Sequence, residues 1–314
     1  MTWPWFVFAG VVVVSLFLDL AVFHRHAGKE SLRRALLWSV FWVGLGLAFA
    51  VFVGVVRGHD AAMAYLTAFL IEKSLSVDNL FVFLALFNYF AVDPAYQHRV
   101  LFWGILGAIA TRAIFIVAGV ALLTTFHWVA YVLGFVLVAT GAKLGLGNGE
   151  DVHPERNVVV RWASRVLPLT RSYDGQRFVT RTAKGLRFTP LVLVLLAIES
   201  TDVMFAVDSV PAVLAVSRDL FVVYTSNIFA ILGLRALYFV LARAIGSLRF
   251  LRPALALILV LIGAKMLLSE VFEVPAAWSL AAVGAILAIA TGLSLLAPTP
   301  RRRAKDGPAE KPRR

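Results

Sequence analysis

The chain contains no cysteine. That absence removes disulfides, thiolate metal sites and dithiol redox chemistry together. Charge is scarce too: Asp, Glu, Lys and Arg make up 15% of the 314 residues, against 61% hydrophobic ones. With a mean hydropathy of +0.85, such a chain is too apolar for a water-soluble protein and has the composition of a polytopic membrane protein. Histidine is missing from the interior of every apolar run, since His24, His26, His59, His98, His127 and His153 all fall in loops or at run ends. No helix therefore offers paired histidines for haem, and no Gly-rich nucleotide loop precedes a helix. Redox catalysis therefore has little support, and the chain is not expected to be an enzyme.

What fills the chain instead is a series of apolar runs, at 4–23, 36–56, 61–90, 99–122, 128–146, 188–214, 220–242, 253–270 and 276–297. Each reaches or approaches the roughly 20 residues a helix needs to cross the hydrocarbon core. The expectation is an all-α polytopic membrane protein with about nine transmembrane helices. Met1 to Phe6 carries no positive charge and the basic cluster His24 to Arg34 follows the first run, so that run is a span rather than a cleavable signal and the N-terminus is expected outside. Alternation then places 24–35, 91–98, 147–187, 243–252 and the tail 298–314 in the cytoplasm, with Arg25, Lys29, Arg33, Arg34, Arg243, Arg249, Arg252 and Arg301 to Arg303 among them. The outer connections hold only Arg57 and Arg218, against Asp60, Asp219, Glu270 and Glu273. The formal net charge of +12 is thus explained by the positive-inside bias of an inner-membrane protein, and no nucleic-acid partner is implied. The basic loop 147–187 carries eight Arg or Lys and four Asp or Glu, with Trp162 and Leu167 spaced like a surface helix. It is expected to rest on anionic headgroups of the bilayer.

One apolar run is unlike the rest. Glu199 to Pro211 reads E-S-T-D-V-M-F-A-V-D-S-V-P and places Glu199, Asp202 and Asp208 inside a span. Each charge there costs roughly 2.5 to 3.5 kcal/mol on insertion scales. An offset of 130 residues lays Glu72 on Asp202, Asp78 on Asp208 and Asn79 on Ser209. After a seven-residue step the match continues, with Arg112 on Arg235 at an offset of 123 and the G-A-K-L of Gly141 to Leu144 on the G-A-K-M of Gly263 to Met266 at an offset of 122. Each unit thus contains an acidic helix, an arginine helix and a G-A-K helix. The acidic helices are three crossings apart, so the two units are expected to be inserted in opposite directions, as inverted repeats with a shared site near the midplane. This gives two N-terminal spans in 1–60, repeats in 61–146 and 188–270 separated by the loop 147–187, a last span in 271–297 and the tail 298–314.

Pro211 leaves the carbonyl of Val207 without its helical donor. On an unbroken helix Asp202 and Asp208 are about 240° apart, so a kink or unwound turn is expected to bring both to one cavity. The polar groups inside the spans are carboxylates, an amide, hydroxyls and carbonyls. Such hard oxygen donors suit Mn²⁺, Ca²⁺ or Mg²⁺ and suit Zn²⁺ or Cu⁺ poorly. Asp78, Asn79, Asp202 and Asp208 with Glu72 or Glu199 supply six oxygens or nearly so. The opposing reading is structural: Arg112, Arg235, Lys143 and Lys265 pair with the carboxylates and neutralise them. Lys143 and Lys265, near run ends, are also placed to snorkel, and Asp19, beside His24, is expected at the interface.

The stretches E-K-S-L-S-V-D-N-L-F-V-F at Glu72 to Phe83, R-V-L-F-W-G-I-L-G-A at Arg99 to Ala108, F-A-V-D-S-V-P-A-V-L-A-V from Phe205 and T-S-N-I-F-A-I-L-G-L-R-A-L-Y-F from Thr225 resemble the TerC family. The resemblance covers most of residues 60 to 270. It implies an integral membrane protein linked to tellurite resistance and, in an Alx-like branch, to export of manganese, with functional positions at Glu72, Asp78, Asn79, Glu199, Asp202, Asp208 and Ser209. The expected function is export of a divalent cation, Mn²⁺ foremost. The alternative is a non-transporting membrane scaffold of a tellurite-resistance or stress-response assembly, with copies of itself or resistance proteins as partners.

Overall fold

The computed structural model describes residues 2–24, 32–126, 128–146, 157–182, 185–243, 250–268 and 275–296. Helices dominate, in the order α1 (Trp3–His24), α2 (Leu32–Arg57), α3 (His59–Tyr89), α4 (Pro94–Thr125), α5 (Trp128–Leu146), α6 (Val158–Val166), then a hairpin of β1 (Val179–Thr182) and β2 (Gly185–Phe188), then α7 (Pro190–Leu214), α8 (Leu220–Ile231), α9 (Leu234–Arg243), α10 (Leu251–Leu267) and α11 (Ala276–Leu296). The burial pattern is that of a membrane protein. Phe6, Val55, Ile114, Phe135 and Leu296 are exposed, while Glu72, Arg112 and Asp202 are buried. Apolar side chains outside and charges inside is the arrangement lipid imposes.

Each apolar run of the sequence is largely helical where it is described, but among the described residues fewer than nine helices meet the requirements of a crossing. By length and hydropathy five of the described helices qualify, α2, α4, α5, α7 and most of α11, and the bent pair α8 and α9 makes a sixth. The shortfall has local causes. Glu72, Lys73 and Asp78 interrupt the apolar run of the 31-residue α3, while among the described residues α1 and α10 count as shorter apolar helices over Trp3–Asp19 and Pro253–Leu267.

Helix α3 runs through the centre, packed against α2, α7, α8 and α11. The acidic and arginine helices exchange partners: α4 lies along α7 and α8 lies along α3. The two G-A-K helices pack on each other through glycines. A Cβ at Gly141 would meet Ala256 O and Val260 Cγ2 at 2.8 Å, and a Cβ at Gly263 would meet Gly134 O at 2.8 Å and Val138 Cγ2 at 2.9 Å. The contacts advance along α5 as they recede along α10, so the helices are antiparallel. They are also reciprocal, because the offset of 122 that relates Gly141 to Gly263 relates Gly134 to Ala256 and Val138 to Val260. Gly263→Leu is expected to separate α5 from α10 at a cost of about 1–3 kcal/mol or more from overpacking. Membrane abundance and the unfolding midpoint of purified protein should both fall. Gly292→Leu is the control, since a Cβ at Gly292 meets nothing within 4 Å.

The expected break at Pro211 is not found. Helix α7 is continuous from Pro190 to Leu214, because Val210, Ala212, Val213 and Leu214 around the proline are buried and Ala215 N closes the next turn on Pro211 O. The lost hydrogen bond is absorbed by packing. The second unit breaks instead at Leu232 and Gly233, where α8 and α9 meet at a 40° bend. Gly233 has φ +83°, and a Cβ there would collide with the Trp42 indole. Both the conformation and the close approach require glycine.

The segment expected as a basic cytoplasmic loop is structured where it is described, with residues 147–156 outside the described residues. Asn157 caps α6 through Val159 N and Val160 N, and its side-chain amide donates to Ser200 Oγ at 2.7 Å. Helix α6 ends before Leu167, buries Val160 and Ala163 and exposes Trp162. Tyr173 donates to Phe90 O at 2.6 Å, and Gln176 to Ala95 O at 2.9 Å. These bonds tie the segment to the α3–α4 turn.

Candidate functional site

Three helices bring charge to one buried point. Arg112 on α4 has only 1% exposure, and its Nη1 donates to Glu72 Oε1 on α3. The same nitrogen reaches Asn227 Oδ1 on α8 at 3.2 Å and Ser209 Oγ on α7 at 3.4 Å. Its Nη2 is 3.4 Å from Asp202 Oδ1 on α7. Asn227 Nδ2 in turn donates to Glu72 Oε2 at 3.0 Å. One guanidinium thus faces two carboxylates, and with all three groups ionised the cluster carries one net negative charge. A buried arginine survives in such a place because its planar fork can serve several acceptors at once. Asp202 Oδ2 and Arg112 Nε are buried without a hydrogen-bond partner among the described residues.

The other residues expected at a site are placed as follows. Asn79 and Ser209, equivalent in the repeat, line a single cavity of about 80 Å³ together with Leu75, Thr140, Leu144, Phe205 and Leu259. Asp78 and Asp208 are helical residues of α3 and α7 directly before them, and their side chains lie outside the described residues. Glu199 is half-buried and its carboxylate lies against α4 where Gly107 leaves room for it, since a Cβ at Gly107 would collide with that carboxylate. Among the described residues no three His, Asp or Glu side chains converge as a metal-ligand set. Glu72 and Asp202 both face Arg112.

The remaining cations have different surroundings. Arg235, the repeat partner of Arg112, is buried and pairs with Asp19 of α1 at 2.8 Å. Asp19 is therefore buried inside the helix bundle rather than interfacial, because the arginine of α9 needs an anion and α1 supplies it. Lys265 donates to Ser279 Oγ of α11 at 2.8 Å, and Lys143 is exposed in the last turn of α5. Arg57 pairs with Asp219 at 3.4 Å.

Two residues of this region were missed in the sequence. Asn227 bridges Glu72 and Arg112, and its signal was the fully buried T-S-N inside an apolar helix. Lys73 was the other. Its ammonium donates to Ala230 O at 3.0 Å and Leu232 O at 3.4 Å. These carbonyls lose helical donors at the bend, so the lysine caps the C-terminal end of α8, where the helix dipole favours a cation.

The family model described as integral membrane protein TerC family matches residues 57–305. The chain belongs to the TerC family. The match contains both acidic helices, both arginines and both G-A-K helices. Relatives extend the likeness over nearly the whole chain of this TerC-family protein. An uncharacterized membrane protein of Myxococcus xanthus is 44% identical over 292 residues, covering 93% of this chain and 92% of its own. A Salmonella typhi protein named "Putative membrane-bound redox modulator Alx" is 45% identical over 294 residues, covering 91% of each chain. Its namesake in Escherichia coli K12 is 44% identical over 292 residues, covering 90% of this chain and 91% of its own. No solved structure matches the chain. This TerC-family protein is an integral, multi-pass membrane protein in contact with the lipid bilayer.

Proposed function

We propose that this protein is a transporter that exports a divalent metal cation, Mn²⁺ foremost, from the cytoplasm across the inner membrane. The observation that carries the reading is the convergence of Asn79 and Ser209 on one cavity, with Ser209 also bonded to the Arg112 cluster of Glu72 and Asp202. Hard oxygens are thereby grouped in the middle of a lipid-facing bundle, where a purely structural polar cluster is costly. Asp78 and Asp208, beside the cavity in sequence, complete the donor set we assign to the cation. Mn²⁺ is preferred over Ca²⁺ or Mg²⁺ on the strength of the family resemblance, and over Zn²⁺ or Cu⁺ on donor chemistry.

In this reading all nine apolar segments cross the bilayer, with the N-terminus outside and the C-terminus in the cytoplasm. The units 61–146 and 188–270 are inverted repeats. The reciprocal, antiparallel glycine contacts of α5 and α10 and the exchanged packing of α4 on α7 and α8 on α3 support that symmetry. The bend at Gly233 supports a broken helix of the kind transporters place at their substrate sites.

Arg112 favours a second reading, in which the internal charges neutralise each other and the protein is a scaffold for copies of itself or for resistance proteins. Cellular metal content separates the two. Expression in a manganese-sensitive host is expected to lower intracellular Mn²⁺ several-fold and to permit growth in excess Mn²⁺, with Zn²⁺ and Cu⁺ unchanged. Unchanged Mn²⁺ at verified membrane abundance would favour the scaffold.

A further inference from the structure

Arg112 sits among the oxygens that a cation would need. Glu72, Asp202 and Ser209 are three of the positions assigned to the metal, and each of them contacts the Arg112 guanidinium. The arginine is also poorly satisfied for a permanent structural partner. Among the described residues its Nε has no acceptor and Asp202 Oδ2 has no donor, although Asp202 is only 4% exposed. A settled buried ion pair normally satisfies its remaining donors and lone pairs. Here one carboxylate oxygen is held in reserve. The cavity lined by Asn79 and Ser209 shares Ser209 with the cluster, so an ion in that cavity is one side chain away from the carboxylates.

Resting on the transport reading, we infer that Arg112 is a tethered counter-cation that holds the site when it is empty and competes with the transported divalent ion for Glu72 and Asp202. The charge balance favours such an exchange. With Glu72, Asp78, Asp202 and Asp208 ionised, the assigned donor set and Arg112 together carry three net negative charges when empty and one when a divalent ion joins them. Arrival of the ion displaces the guanidinium from the carboxylates, and its return displaces the ion toward release. An internal cation keeps the vacant site from being a pair of unpaired buried carboxylates, and it keeps the bound ion from being trapped. Lys73 does not fill this role, because its ammonium is engaged by the carbonyls at the end of α8.

Removing a competitor tightens binding, whereas removing a structural strut does not. Full-length wild type, Arg112→Gln and Arg112→Lys are purified in detergent with Mn²⁺ present and dialysed. Mn²⁺ affinity is then measured by the loss of the free Mn²⁺ paramagnetic resonance signal. Arg112→Gln is expected to bind Mn²⁺ at least tenfold more tightly than wild type and to exchange it more slowly. Arg112→Lys, which keeps the charge but loses the fork, is expected to fall between the two. Equal or weaker binding by Arg112→Gln, with wild type binding normally, overturns the competition and leaves the transport reading intact. If Arg112→Gln fails to accumulate, Arg112→Lys decides: tighter binding than wild type supports the competition, and equal or weaker binding overturns it. No Mn²⁺ binding by wild type or variants overturns the transport reading itself.

Discussion

Glu72→Leu is expected to remove most of the folded protein from the membrane. Glu72 is fully buried and accepts from both Arg112 and Asn227. Its loss leaves Asp202 as the one carboxylate facing Arg112 among the described residues and strands an amide donor of Asn227. Removing one partner of a buried ion pair costs about 3–5 kcal/mol, which is comparable with the smaller total stabilities of folded domains. The remedy is to remove the whole cluster. Glu72→Met, Arg112→Leu, Asp202→Leu and Asn227→Leu together remove the ion triad and the amide it satisfies, and a buried ion triad replaced by apolar groups of similar size is often neutral in stability. Immunoblots of membranes should show loss in the single variant and recovery in the quadruple one, and the recovered protein should not move Mn²⁺. Normal abundance of Glu72→Leu would contradict the buried pairing.

The largest effect on activity is expected at Asp78 and Asp208. Each directly precedes a residue that lines the cavity, on α3 and on α7. Asp78→Asn and Asp208→Asn keep the shape of the side chain and remove one negative charge from the donor set. A hard divalent cation depends on that charge count, so each change should lower Mn²⁺ efflux by about tenfold or more at unchanged abundance. Equal losses at both positions follow from the duplication. Wild-type efflux in both variants would remove these carboxylates from the cation site.

Features set within one helix were legible in the sequence, and features set by distant partners were not. Helix positions were legible because Val, Leu, Ala and Phe runs of span length have little alternative in lipid. The pairing of Gly141 and Gly263 was legible as equivalence through the repeated G-A-K, but not as contact, since that depends on where α5 and α10 meet. Asp19 was misjudged because its partner Arg235 lies 216 residues away in sequence. The helix break was misplaced for a related reason. Proline marks a missing donor wherever it stands, but packing around Val210 and Val213 keeps α7 helical through it, and the break falls at Gly233, where φ is +83° and Trp42 packs on the backbone. Glu72 and Asp202 were identified as a pair, yet only the structure places a guanidinium between them. Lys73 and Asn227 carried a readable signal, polar groups inside apolar helices, and their partners are backbone and side-chain atoms from the other repeat.

The most direct test is Mn²⁺ movement across a membrane by this protein alone. Inside-out membrane vesicles containing equal amounts of wild type or of Asp78→Asn with Asp208→Asn are given external Mn²⁺, and the ion inside is followed with time. The account predicts accumulation with wild type and none with the double variant. Wild-type vesicles that accumulate no more Mn²⁺ than vesicles without the protein would contradict it.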